Sequence, residues 1–166
     1  DVMVQQAQFD WFCEDALNFS DKSDASEWAV ITISHAQLST QLSSAFVAVI
    51  EAYMNGTAAS GTATSTYGSY THTLTYDVDY TSQGAMEYIC HVNGHNHEDS
   101  AFMIGNTGRY DIDIACDNAK AYYYSGSTRT QYTRTAGTIE EHIMDTLCIN
   151  KANRKIYMKR LGVGSD

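Results

Sequence analysis

The sequence predicts a layered α/β or α+β fold that mixes strand directions. Two observations favour this class. Apolar residues recur at helical spacing in the first third of the chain, and short β-branched or alternating runs fill most of the remainder. The 166 residues are enough to build one hydrophobic core without disulfides. We therefore expect a single domain over residues 1–166.

Helical spacing of apolar residues predicts two helices, one from about Val2 to Asn18 and one from Leu42 to Met54. The second helix is expected to end at Asn55-Gly56. Between the helices, the β-branched run Trp28–Ser34 predicts a buried strand that terminates at His35. We expect candidate functional residues just beyond such a strand, because open α/β sheets bind ligands beyond the carboxyl ends of their strands.

The rest of the chain is predicted to be rich in strands. Residues 57–69 are almost entirely Thr, Ser, Gly and Ala, which predicts a loop or insertion. Thr71–Tyr80 alternates between apolar and polar residues, as a half-exposed strand does. Further strands are predicted at Met86–Val92, at Tyr110–Ala115, and in a terminal hairpin of Met144–Ile149 with Lys155–Leu161.

Charge and composition narrow the function classes. The chain carries 20 acidic and 10 basic side chains, a formal charge of -10, which disfavours duplex nucleic acid as a general partner. No apolar run reaches the roughly 20 residues of a membrane-spanning helix, and no targeting signal is visible, so we expect a soluble chain of unknown compartment. The four cysteines are widely separated without a CxxC pair, which favours buried thiols over disulfides or a cysteine-built zinc site.

Histidines supply the candidate metal ligands. His95 and His97 lie two residues apart in Gly94-His95-Asn96-His97, directly after a predicted strand, and His35 follows another. Neutral imidazole is a common ligand of borderline divalent metals, and glycine allows the backbone to turn sharply there. The alternative is that the spacing arises by chance and that His35 is a polar residue near the core. Asp99 lies close to His97 in the sequence.

Other titratable residues attract less interest. His72 and His91 fall within predicted strands, and His142 follows two glutamates in a predicted turn. The aspartate pairs Asp77/Asp79 and Asp111/Asp113 could bind calcium, but no ligand-rich loop surrounds them. They are predicted to lie on the solvated faces of strands.

The order of these features resembles the C-terminal half of a calcineurin-like metallophosphoesterase, from a branch common in bacteria and phages. The resemblance covers nearly the whole chain, and Gly-His-x-His is its most specific motif. The matching segments, in order, are Gln8-Phe9-Asp10-Trp11-Phe12, Ser34-His35, Gly94-His95-Asn96-His97, Arg134–Glu140, Met144–Ile149, Lys155–Tyr157 and Arg160–Asp166.

The resemblance implies an α/β fold built as a layered sandwich of mixed sheets with flanking helices. It also implies a two-metal site in which a metal-held hydroxide attacks the phosphorus of a phosphate ester. His35 and His95 match ligands of one metal and His97 a ligand of the other, while Asp99 is placed to support them from outside the coordination sphere. The family's Asp-x-His, bridging Asp and Gly-Asn-His-Glu have no counterpart in this chain and belong upstream of it, so its catalytic acid and base residues are unknown. We expect at most one weakly held divalent ion, such as Mn, Zn or Fe.

Two functions follow from this departure. The first is the C-terminal portion of a phosphatase or phosphodiesterase, a hydrolase that is inactive until an N-terminal half or a neighbouring chain completes it. The second is a catalytically inactive structural or binding module, for example a phage virion or cell-surface component. The 12 tyrosines favour the second, because tyrosine supplies rigid contact surface for a protein or glycan, although tyrosine is also common in ordinary sheets.

Overall fold

A computed structural model of the chain describes residues 4–38, 43–95, 99–114, 122–125, 128–131, 135–139 and 143–162. Helix α1 is Gln6–Trp11 and continues as a π-helical turn over Phe12–Ala16, Ala25–Glu27 is a 3-10 turn, and α2 is Ser43–Asn55. The strands are β1 Ala29–Ile33, β2 Ala58–Tyr67, β3 Tyr70–Asp79, β4 Glu87–Asn93, β5 Ser100–Met103, β6 Tyr110–Asp113, β7 Tyr122–Ser125, β8 Thr128–Gln131, β9 Ile143–Asn150 and β10 Lys155–Gly162. Few helices and both parallel and antiparallel strand pairs confirm the α/β class.

Contacts divide the chain into two compact units, which differs from the single domain that its length predicts. The first unit is Asp1–Asn93 with Ala101–Ile112, and the second is Gly94–Ser100 with Asp113–Asp166. Length limits how much core a chain can bury, but it does not say which segments share that core. Here the chain leaves the first unit after β4, returns to it for β5 and β6, and then leaves again.

The first unit contains a four-stranded sheet in the order β1-β4-β6-β5. β1 lies at the edge and runs parallel to β4, and the register between them shifts after Val30. Val30 pairs with Tyr88 and Thr32 with His91, so Tyr88 and His91 share one face although they are three residues apart. The expectation that β1 is buried is wrong on the face that carries Ile31 and Ile33, where Ile33 is 79% exposed.

The core of the first unit lies between the helices and the hairpin of β2 and β3. The predicted apolar face of α2 is confirmed, since Val49, Ile50 and Tyr53 are fully buried. Phe9 from α1 is also fully buried and meets the ring of Phe46 edge-on at 4.7 Å between centroids. Full burial of each large apolar side chain stabilises the fold by roughly 1.5–3 kcal/mol, which fixes the helices against the hairpin.

Residues 57–69 do not form the predicted loop, because most of them make up β2, which pairs with all of β3. Threonine is β-branched and suits a strand, and its hydroxyls meet across the pair, as Thr64 and Thr73 do at 3.1 Å. Gly61 faces the ring of Tyr76, which occupies the space of the missing side chain. The alternation predicted for β3 is confirmed, with Leu74 and Val78 buried, Tyr76 half-buried, and Thr75 and Asp77 exposed.

The second unit contains two antiparallel hairpins, β7 with β8 and β9 with β10. The β9–β10 pair runs from Ile143↔Gly162 to Asn150↔Lys155, which confirms the predicted terminal hairpin. Its four-residue turn ends at Arg154, whose φ of 55° is left-handed. Such a turn reverses the chain within a few residues and sets the register that places Asp145 opposite Arg160.

The cysteines and the membrane expectation are resolved in part. Cys13 and Cys90 are buried free thiols, as predicted, whereas Cys148 is free but exposed. Cys116 lies outside the described residues. In the part of the chain that the structure describes, no helix is both long and apolar enough to cross a membrane.

Candidate functional site

Two of the predicted metal ligands follow neighbouring strands. β1 and β4 are parallel, so their carboxyl ends lie at the same edge of the sheet. The backbone N–H of Ser34 donates to Val92 O at 3.1 Å, which continues the pairing one residue beyond β1. His35 follows Ser34, His95 comes two residues after β4 ends, and both side chains are exposed. This edge is where ligands bind in open α/β sheets.

The three histidines fall in different parts of the chain. His35 belongs to the first unit, His95 to the second, and His97 lies outside the described residues. Among the residues whose structure is described, no three or more His, Cys, Asp or Glu side chains form a group that could hold a metal ion. A divalent metal at His35, His95 and His97 therefore stays a prediction.

Asp99 is bound to an arginine of the second unit. Arg160 donates from Nη2 to Asp99 Oδ1 at 2.6 Å and from Nη1 to the other oxygen of the same carboxylate. It also forms a two-point pair with Asp145, from Nε to Oδ1 at 2.9 Å and from Nη2 to Oδ2 at 2.7 Å. The hydrogen bonds to Asp99 and Asp145 raise the pKa of Arg160 despite its burial. Asp99 is thereby tied to the β9–β10 hairpin, and its role beside a metal remains a prediction.

A buried polar network, which the sequence did not predict, lies behind the turn that carries His35. His91 is 1% exposed, and its two ring nitrogens contact different residues. Nδ1 lies 2.7 Å from Thr32 Oγ1, which in turn lies 2.5 Å from the Tyr88 hydroxyl. Nε2 lies 3.0 Å from Ser34 Oγ and 3.3 Å from the carbonyl oxygen of Ala36. The β4 bulge makes this possible, because it puts Tyr88 and His91 on one face.

The hydrogen bonds of this network can run in only one direction. Ser34 Oγ lies 2.6 Å from Ala36 O, and because a carbonyl only accepts, the serine hydroxyl must donate there. Ser34 therefore accepts from His91, which carries its proton on Nε2. Nδ1 is then an acceptor for the Thr32 hydroxyl, and Thr32 accepts from Tyr88. Each of these four side chains then has a hydrogen-bond partner, which is the condition for burying polar side chains without a large cost.

Asp111 anchors the same turn from the other side. Its Oδ2 accepts the backbone N–H of Leu38 at 2.7 Å, and its Oδ1 accepts from Asn93 Nδ2 at 2.7 Å. The prediction of solvated faces is confirmed for Asp77 and Asp79, which are exposed. It is wrong for Asp111 and Asp113, each only 1% exposed, because they sit on the face of β6 that is turned inward.

The electrostatics of the network keep His91 neutral. Burial lowers the pKa of His91, and although the nearby carboxylate of Asp111 opposes this shift, burial has the larger effect. Burial likewise raises the pKa of the Tyr88 hydroxyl and raises that of the Cys90 thiol to about 11. All three groups therefore stay uncharged near neutral pH.

This arrangement is a scaffold and not a serine nucleophile with its base. A general base must accept the hydroxyl proton, but His91 directs an N–H toward Ser34, and the Ser34 proton points at a carbonyl. The chemical effect of the network is to hold the backbone on both sides of His35. One sequence signal could have revealed it, namely a histidine inside the apolar run of β4 facing a strand that offers hydroxyls at Thr32 and Ser34.

Comparison of the chain with protein-family models, with curated proteins and with solved structures gives no match in any of the three.

Proposed function

We propose that the chain is the C-terminal part of a metal-dependent phosphoesterase of the metallophosphoesterase fold. In this proposal it contributes histidine ligands to a site that another segment or chain completes. The observation that supports it is the parallel pairing of β1 with β4, because Ser34-His35 and Gly94-His95 directly follow these two neighbouring strands. Open α/β sheets bind their ligands beyond the carboxyl ends of such strands.

The donor set fits one borderline divalent ion. His35, His95 and His97 offer imidazole nitrogens, which suit Zn, Mn or Fe, and both described side chains are exposed. Imidazole brings no negative charge, so a second cation a few ångströms away would lack the carboxylates that neutralise it. We therefore expect one weakly held ion per chain. When bound, such an ion would supply a hydroxide near neutral pH for attack on a phosphate ester.

The first test is metal binding by the 166-residue chain. Isothermal titration with Co²⁺ and Mn²⁺ should give one site, and either His35→Ala or His95→Ala should abolish it. His72→Ala is a matched control, because His72 bonds to Val4 O elsewhere in the first unit. Two stoichiometric ions per chain would contradict the single-ion expectation, and binding that survives both alanine variants would refute the site.

The second test is catalysis by the completed protein. The proposal predicts that the coding sequence upstream of Asp1 contains Asp-x-His and Gly-Asn-His-Glu. Co-expression of that segment should yield Mn²⁺-dependent hydrolysis of bis(p-nitrophenyl) phosphate, which His95→Ala abolishes. An unchanged rate in the His95→Ala protein would show that the reaction does not use this site.

A binding module is the second candidate, favoured by the exposed aromatic side chains of the first unit. Tyr70, at the turn between β2 and β3, is 75% exposed, and Trp11 is 60% exposed. Rigid aromatic side chains of this kind commonly supply contact surface for a protein or glycan. An upstream coding sequence without the two phosphoesterase motifs, together with no metal binding, would favour this function over the enzyme.

A further inference from the structure

We propose that His91 is a positioning residue that sets the geometry of the metal ligand His35. The inference rests on the proposed function, since it takes His35 to bind a metal. It starts from the contacts of one ring nitrogen. His91 Nε2 lies 3.0 Å from Ser34 Oγ and 3.3 Å from Ala36 O, so it contacts the residues immediately before and after His35.

The positioning group is itself immobilised. His91 is buried, and rotation of its ring would break the 2.7 Å hydrogen bond between Nδ1 and Thr32 Oγ1. Thr32 is in turn held by the hydroxyl of Tyr88 at 2.5 Å. A ligand-bearing turn anchored to a buried side chain that is hydrogen-bonded at both ring nitrogens keeps its direction before any metal arrives. Pre-organisation of this kind strengthens binding, because less freedom is lost when the ligand coordinates.

A second anchor fixes the far end of the same turn. The backbone N–H of Leu38 donates to Asp111, and Asp111 is held by Asn93. His35 therefore lies between a hydroxyl bonded to His91 at Ser34 and a backbone group bonded to Asp111 at Leu38. Its exposed ring is carried on a segment whose flanks are bonded to the sheet on both sides.

Two conservative variants separate the roles of the two ring nitrogens. A glutamine amide nitrogen reaches the position of Nε2, so His91→Gln keeps a donor for Ser34 and Ala36. An asparagine side chain reaches only the position of Nδ1, so His91→Asn keeps the contact with Thr32 and loses the hydrogen bonds to Ser34 and Ala36. Because His91 is buried, Ser34→Ala is the variant least able to disturb folding, and it removes the acceptor for Nε2 from an exposed residue.

The probe is Co²⁺ binding by the full 166-residue chain, read from the affinity and from the visible absorption bands of the bound ion. We expect His91→Asn and Ser34→Ala to lower the affinity about 10-fold and to change the bands, as loss of a group that supports a metal ligand commonly does. His91→Gln should keep the Co²⁺ affinity within about 3-fold of that of the unmodified chain. Circular dichroism checks that each variant remains folded.

The possible failures of the two proposals are distinguishable. If His35→Ala abolishes Co²⁺ binding but His91→Asn and Ser34→Ala bind as the unmodified chain does, His91 has no positioning role and the proposed function stands. If His91→Gln is as impaired as His91→Asn, the donor to the turn is not the cause and the inference is overturned. If the unmodified chain binds no Co²⁺, or His35→Ala changes nothing, both proposals fail.

Discussion

Gly56 offers a stability test with a matched control in the same unit. It ends α2 with a left-handed φ of 61°, and a Cβ built there would lie 2.3 Å from the carbonyl carbon of Gly84 and 2.5 Å from Ala85 N. Both are backbone atoms just before β4, the strand that carries His91. Gly68, in the turn between β2 and β3, has the same φ of 61°, but nothing lies within 4 Å of its Cβ position.

The structure sets the expected difference in the free energy of unfolding between Gly56→Ala and Gly68→Ala. An L-residue with left-handed backbone costs roughly 1–2 kcal/mol, and the stiffer unfolded chain of an alanine variant returns about 0.4–1 kcal/mol. Gly68→Ala should therefore lower the free energy of unfolding by about 1 kcal/mol. Gly56→Ala adds the displacement of packed backbone, about 1–3 kcal/mol more. That displacement also strains the 3.2 Å hydrogen bond from Met86 N to Tyr53 O.

Urea unfolding followed by tryptophan fluorescence reports on the right part of the molecule, because Trp11 and Trp28 both belong to the first unit. A difference of about 2 kcal/mol between Gly56→Ala and Gly68→Ala corresponds to a roughly 30-fold difference in the unfolding equilibrium. Equal destabilisation by the two variants would refute the reasoning, since it would mean that only φ matters and that α2 is not packed against the start of β4.

Three other predictions concern buried groups. Because the pKa of His91 is lowered in the folded chain, the unfolded chain binds the extra proton below about pH 6.5. The urea midpoint of the first unit should therefore fall between pH 7 and pH 5, and it should fall less in His91→Gln. Equal falls in the two proteins would contradict this. Iodoacetamide at pH 8 should label exposed Cys148 faster than buried Cys90, because the pKa of Cys90 is raised to about 11. Peptide mass spectrometry measures the two rates, and comparable rates would show that Cys90 is accessible. Arg160→Met leaves the buried carboxylate of Asp145 unpaired and should lower the stability of the β9–β10 hairpin by about 3–5 kcal/mol, seen as faster amide exchange in both strands. Lys22→Met, which removes the exposed ion pair with Asp21, should leave that exchange unchanged. Amides that stay protected in Arg160→Met would show that the Arg160–Asp145 pair is dispensable.

Periodicity predicted those elements whose apolar side chains alternate or spiral clearly. α2 ends at Asn55 as expected, β3 buries Leu74 and Val78, and β9 pairs with β10 across a short turn. β2 was missed because its Thr, Ser, Ala and Gly residues carry little apolar pattern. It becomes a strand through its partner, since β3 supplies the backbone hydrogen bonds and the ring of Tyr76 covers Gly61.

Sequence patterns predict less of the candidate site than of the fold. The sequence placed His35 and His95 after strands, and those strands are parallel neighbours. Sequence patterns place His91 within a strand without indicating a role and predict a solvated face for Asp111, although both side chains are buried. A polar residue in a strand reveals its partners only when the strands pair, and the bulge that aligns Tyr88 with His91 has no local signature in the sequence.

The sequence by itself determined the α/β class, the helix and strands with strong apolar patterns, and the positions of the histidines at strand ends. Those properties depend on neighbours a few residues apart, which a local pattern records. The tertiary structure alone decided which polar groups are buried together. Thr32 meets His91 across 59 positions, Leu38 meets Asp111 across 73, and Asp99 meets Arg160 across 61. Burying a polar group without such a partner costs free energy, and the partner is set by the packing of distant segments and not by adjacent sequence.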